Sequence, residues 1–204
     1  MRTAFAALLI VAATSPVRAD AVDALREFSR EAKTGRAAFT QLVTSPDGAK
    51  KKTSSGSFEF ARPNRFRFAY AKPFEQQIIG DGQRLWLYDV DLQQATVRAM
   101  DKALGATPAA LLAGASPDKD FELSPLPMTQ GLEWVQATPR DKEALANLQS
   151  LRVGFRGNTL AAIELVDGFG QRSLLTFTAL VINVALAADT FRFVPPPGVE
   201  VLTQ

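Results

Sequence analysis

Between residues 57 and 70 the chain alternates. Even positions carry Phe58, Phe60, Arg62, Phe66, Phe68 and Tyr70, whereas Ser57, Glu59, Arg65 and Arg67 fall on odd ones. Successive side chains of a strand point to opposite faces, so this pattern predicts two strands with one aromatic and one charged face. Pro63 and Asn64 interrupt the pattern and predict a turn between the strands.

Upstream of this, Val22, Leu25, Phe28 and Ala32 recur every three or four residues behind Asp20, a favourable N-cap. A helix with one apolar stripe is expected there, ending near Gly35. From Phe39 onward the pattern turns to strand. Asp81-Gly82, between expected strands at 77–79 and 85–88, signals a hairpin, and Asp89 to Asp91 turns the chain into a strand over 95–99. Thr107 as N-cap, Pro108 at the first helical position and Gly114 behind Leu111-Leu112 predict a short second helix.

The stretch holding Pro117, Pro125 and Pro127 reads as a loop. Strands are then expected at 132–137, 151–155, 160–166, 172–177 and 191–194, with Gly157-Asn158 and Gly168 to Gly170 as tight connections. The sum is ten or eleven strands and two helices, a mostly β chain whose single twisted antiparallel sheet curls toward a barrel.

The N-terminus changes the picture. Arg2 precedes an apolar run over 4–13 and a Val17-Arg18-Ala19 tripeptide, the pattern of a cleavable secretory signal spanning 1–19. The run is about ten residues against roughly twenty for a membrane-spanning helix, and the chain has no Cys to be acylated. An exported, unanchored protein starting at Asp20 is expected, one domain over 20–204. Full-length, the chain has 23 basic and 21 acidic residues; without Arg2 and Arg18 the two balance, so no polyanionic partner such as nucleic acid is called for.

His and Cys are both absent, which removes the usual near-neutral general bases, soft metal ligands and thiol nucleophiles. Asp89-Val90-Asp91 opens like a calcium loop, but Gln94 stands where that loop needs Gly and Met100 where it needs Glu. No nucleophile elbow, phosphate loop or dinucleotide fingerprint is present. The expectation is a protein without catalytic residues, metal or cofactor.

Several strings together resemble the outer-membrane lipoprotein carrier proteins of the LolA type. They are Phe39-Thr40-Gln41, Gly56-Ser57-Phe58, Arg62-Pro63-Asn64-Arg65-Phe66, Asp81-Gly82 with Leu85-Trp86-Leu87-Tyr88, and Gln94-Ala95-Thr96. Thr107-Pro108, Asp167-Gly168-Phe169-Gly170-Gln171 and Phe191-Arg192-Phe193 through Pro197-Gly198-Val199 continue in the family's order. Phe68 departs from it, standing where many members carry Trp, and the stretch 115–130 has no strong family signature.

This resemblance implies a half-open antiparallel β-barrel of about eleven strands, closed by a helical lid over an apolar cavity, in a monomeric periplasmic carrier. It also implies the partners: acylated lipoproteins as cargo, an inner-membrane lipoprotein-releasing ABC transporter that loads them, and an outer-membrane lipoprotein receptor that accepts them. A paralogous half-barrel, carrying another acylated lipid or sensing it for a signalling partner, fits the same residues.

Three acyl chains hold on the order of 45 methylenes, each costing about 0.8 kcal/mol in water, so a carrier must offer apolar surface. Phe58, Phe60, Phe66, Phe68 and Tyr70 suit an acyl-chain lining, with Trp86, and Tyr88 beside it, from the next hairpin. An ordinary closed core explains the same alternation. By the resemblance, Leu111 and Leu112 belong to a lid helix facing the cavity, Phe66 sits near the entrance and influences handover, and Arg62 latches the lid by bonding helix carbonyls. Arg65, Arg67, Lys72 and Arg84 suggest a basic rim, although scattered surface cations usually serve solubility only.

Overall fold

The computed structural model describes residues 20–100, 108–114, 116–142 and 148–204; the signal segment and the expected cap Thr107 lie outside them. Asp20 caps the first helix, α1 (Ala21–Glu31), its carboxylate accepting from the Val22 amide at 3.3 Å. Val22, Leu25 and Phe28 are buried along one stripe, whereas Arg26, Arg30 and Glu31 face solvent. The helix stops at Glu31, short of the expected Gly35. Gly35 instead lies inside a strand, where a Cβ would run into the ring of Phe60. A glycine required by a close approach had the look of a helix stop.

Twelve strands follow: β1 (Thr34–Thr44), β2 (Lys51–Ala61), β3 (Arg65–Lys72), β4 (Gln76–Asp81), β5 (Arg84–Asp89), β6 (Gln94–Ala99), β7 (Phe121–Thr129), β8 (Leu132–Pro139), β9 (Leu148–Arg156), β10 (Thr159–Asp167), β11 (Arg172–Ile182) and β12 (Glu200–Thr203). They form one sheet in the order β12-β6-β5-β4-β3-β2-β1-β11-β10-β9-β8-β7. Its ends, β12 and β7, are not paired with each other, so the barrel stays open. Among the described residues, two short helices, α2 (Pro108–Ala113) and α3 (Pro117–Asp120), lie in the chain between β6 and β7, which leads from one half of the sheet to the far edge of the other.

The register explains the faces. Phe58 stands opposite Phe68, Phe60 opposite Phe66 and Phe39 opposite Phe177, so these rings share the inner face. The alternation survives the turn at Pro63 and Asn64, where Asn64 takes a left-handed φ of 59°. At the next hairpin the Asp81 carboxylate accepts from the amides of Gln83 and Arg84 at 2.8 and 2.7 Å, and Gly82 supplies a φ of 99°.

Three expectations need correction. The Pro-rich stretch is helix and strand, not loop: Pro117 opens α3, and Pro125 and Pro127 sit in β7, an edge strand, where a missing N–H leaves no broken ladder on the open side. Residues 191–194 are turn and extended chain, not a strand. The last strand, β12, pairs with β6 in parallel, so the sheet is not wholly antiparallel. Between β11 and β12 the chain passes over the outer face, where Phe193 packs 5.2 Å from Trp86 and 5.3 Å from Tyr88, ring centre to ring centre.

Candidate functional site

Phe58 is the centre of the inner face. Its ring stacks on Phe68 at 4.4 Å and lies 5.7 Å from Phe60 and 5.8 Å from Phe177. Phe28 of α1 reaches down to Phe60 at 5.9 Å and to Phe155 at 6.4 Å, so helix and sheet meet ring to ring. Leu111 and Leu112 of α2 are fully buried in the same cluster, with Phe66 and Phe68. The expected face therefore assembles, with Phe28, Phe39, Phe155 and Phe177 added from other elements. Alternation marks those strands too, but pairing distant strands takes the fold.

Trp86 does not belong to it. On β5 the residues that reach the inner cluster are Leu85 and Leu87, whereas Trp86 packs with Ile79 and Val97 on the outer face beneath Phe193. Tyr88 shares that side. Both faces of β5 are apolar because one is covered by the interior and the other by the C-terminal segment, so aromaticity alone chose the wrong face.

Arg62 closes the end of β2 beneath the helices. Its Nε donates to the Ala32 carbonyl at the end of α1 at 2.9 Å, and one terminal nitrogen donates to the Gly114 carbonyl just past α2. The backbone repeats the tie, with the Arg62 amide bonding the Lys33 carbonyl at 2.8 Å and the Asn64 amide the Ala113 carbonyl at 2.7 Å. The guanidinium stands 5.7 Å from the ring centres of both Phe28 and Phe60. Burial pushes its pKa down to about 10, which leaves it charged at neutral pH. Its other terminal nitrogen is buried without a hydrogen-bond partner among the described residues.

The helices are also joined to each other. Arg26 of α1 binds Asp118 of α3 at 2.9 Å, which holds the Asp118 carboxyl below its ordinary range. All of this lies toward the end of the sheet where Thr34 faces Ala61. Toward the other end, where Thr44 faces Lys51, the inner face opens into a groove of about 550 Å3 lined by Gln41, Val43, Lys52, Tyr70 and Phe74. Tyr70 sits at the boundary, its hydroxyl pKa raised by burial, and Phe74 and Leu92 beside it are largely exposed. Phe66 is buried near the helix-covered end, not at this opening.

Of the suggested rim cations, Arg65 and Arg84 line one outer-face depression together with Arg192, and Lys72 stands at the opposite end of β3. Arg67 turns outward to bond Gln77 at 2.9 Å, while Arg65 and Arg84 stand over the rings of Phe191 and Trp86 on the outer face. No cluster of metal-ligating side chains occurs among the described residues.

An open sheet cupped around an aromatic face and plugged by helices at one end defines a half-barrel class that also includes solved structures of low sequence identity. The chain superposes on a LolA superfamily protein of Nitrosomonas europaea with a TM-score of 0.51 at 12% identity, covering 85% of this chain and 97% of that one. A putative outer membrane lipoprotein-sorting protein domain of Vibrio parahaemolyticus gives 0.52 at 10% identity, over 84% and 95%. These likenesses concern the fold alone. Sequence goes further: the family described as outer membrane lipoprotein carrier protein LolA matches residues 30–194, and the chain belongs to that family. It is 62% identical to an outer-membrane lipoprotein carrier protein of Methylibium petroleiphilum, over 100% of this chain and 98% of the relative. A protein of the same name from Leptothrix cholodnii is 58% identical, over 98% and 94%.

Proposed function

We propose that this protein is a periplasmic lipoprotein carrier, exported by cleavage of its first 19 residues, that shelters acyl chains against the inner aromatic face. Its role is non-catalytic. The observation that carries the reading is Arg62, a charged side chain set among Phe28 and Phe60 and hydrogen-bonded to the ends of two separate helical elements.

A charge in an apolar surrounding is costly unless its donors are satisfied, so the helices cannot lift away without stranding it. Its two carbonyl partners make Arg62 a latch, and acyl chains entering between α1, α2 and the sheet must break it. Opening and loading are then one event. Burying 45 methylenes is worth on the order of 35 kcal/mol, but the interior must first give up contacts among its own rings. That exchange returns only a difference, which lets the cargo be taken and later surrendered. Acyl chains in this reading meet Phe58, Phe60, Phe66, Phe68, Tyr70, Leu111 and Leu112, an inner-membrane ABC transporter supplies the lipoprotein, and an outer-membrane receptor receives it.

The test incubates purified mature protein with energised spheroplasts containing labelled lipoproteins, beside an Arg62→Leu variant of matched fold by circular dichroism. Soluble lipoprotein complexes with the wild type, and altered release or onward transfer with the variant, are expected. If the wild type binds a fluorescent fatty acid yet releases no lipoprotein, the cargo assignment fails and the lipid-binding face stands.

A further inference from the structure

The outer face carries two apolar patches, one on each half of the sheet. Over the first, around Trp86, the chain lays its own C-terminal segment: Phe193 packs on Trp86 and Tyr88, and the Thr190 carbonyl accepts from Arg67 at 3.5 Å. The second patch is centred on Trp134, with Leu132, Ala161 and Ala162, and borders a groove of about 740 Å3 between the β1–β2 turn and the β7–β8 hairpin. No segment crosses that groove among the described residues. Its floor is half-buried Leu42, Leu126, Val166 and Leu174, and that volume is within the ~300–1,000 Å3 typical of ligand pockets.

Charged side chains share this floor, since Glu164 is paired with Leu174 and Arg172 with Val166 on the same face. Glu164, 9% exposed, lies 3.4 Å from Arg152 and 3.4 Å from Arg172, so two guanidinium groups share a single carboxylate. Both arginines keep exposed donors, and Lys51 adds a third cation to the same groove. The groove is therefore cationic by two charges set among apolar side chains.

We infer that this groove is a second binding site, which takes an extended acidic peptide segment with its apolar side chains on the Leu126–Leu174 floor and a carboxylate on Arg152 and Arg172. An extended peptide presents every second side chain to the sheet at about 3.3 Å per residue, so an acidic and an apolar side chain two positions apart reach Arg172 and its same-face neighbour Leu174 together. Trp and Arg are the residue types that dominate such contacts. The site is on the opposite face from the acyl-binding rings and does not depend on them.

The test titrates the purified protein with capped Leu-Ser-Glu-Ser-Leu pentapeptides, whose Leu and Glu share one side, and with Gln-for-Glu counterparts, following the fluorescence of Trp134 in a Trp86→Phe background. Saturable binding at least fivefold tighter for the acidic peptides is expected, lost in the Arg152→Gln, Arg172→Gln double variant, with fatty-acid binding at the inner face unchanged. Comparing the peptides requires no arginine variant, so a folding defect there leaves the result readable. Equal affinity for both peptides, no saturable binding, or a response to phosphatidylglycerol vesicles alone would overturn the proposal.

Discussion

The Arg62 Nε donates to the carbonyl of Ala32 at 2.9 Å, across 30 residues of chain, and so ties the end of a central strand to the end of the first helix. Replacing Arg62 with Leu removes a costly buried charge but leaves the Ala32 and Gly114 carbonyls without that donor, so the two effects oppose each other. The expected outcome is a thermal midpoint within a few degrees of wild type, with cargo handover impaired. A midpoint reduced by many degrees would make Arg62 a structural prop and not a latch.

That latch is insensitive to pH over the physiological range. The folded pKa of Arg62, about 10, lies well below the ordinary arginine value, so its charge penalty is fully present below pH 10 and is relieved only as pH rises above it. The Asp118 carboxyl is likewise shifted down, below 3.8, but for an acid this is stabilising, so its contribution holds above that value and is lost as pH falls through the folded pKa. Its partner is half-exposed and the contribution correspondingly small. The midpoint difference between wild type and Arg62→Leu should stay flat from about pH 5 to 9; a slope near pH 7 would contradict the assignment.

Phe58→Ala should cost about 3–5 kcal/mol, since the ring is fully buried and touches three others. Denaturant unfolding measures it. A loss under 1 kcal/mol would mean that the inner face is loosely packed before any cargo arrives.

Gly56→Ala is the smallest change expected to disturb the sheet. A Cβ there would collide with the backbone carbonyl of Ala69, at a position where the β2–β3 register shifts. Backbone cannot swing aside as a side chain does, so a loss of about 1–3 kcal/mol is expected, read as a lower denaturation midpoint.

Phe193→Ala should loosen the C-terminal segment over the outer face while leaving the inner face intact. Faster proteolysis within 184–199, with unchanged fatty-acid binding, is the expected result. Reduced fatty-acid binding would instead couple the two faces.

The inner face was legible where one side of a strand met water. Phe58, Phe60, Phe66 and Phe68 alternate with Glu59, Arg65 and Arg67, and the period assigned their side without help. Leu85-Trp86-Leu87-Tyr88 is apolar on both sides, so period two carries no facing information, and Trp86 was misplaced. Pro125 and Pro127 suggested a loop because local chemistry does not reveal that β7 is an edge. The parallel pairing of β12 with β6 joins segments about a hundred residues apart, beyond any local signal.

The unpaired edges of β12 and β7 have a mechanical consequence. In a closed barrel, strand number, tilt and stagger together fix the radius, and enlarging the interior means tearing ladder bonds. A sheet with a free seam can uncurl a little at every strand pair, each bending slightly and none letting go. The hollow can thus swell or shrink around guests of different girth while its hydrogen-bonded wall stays whole.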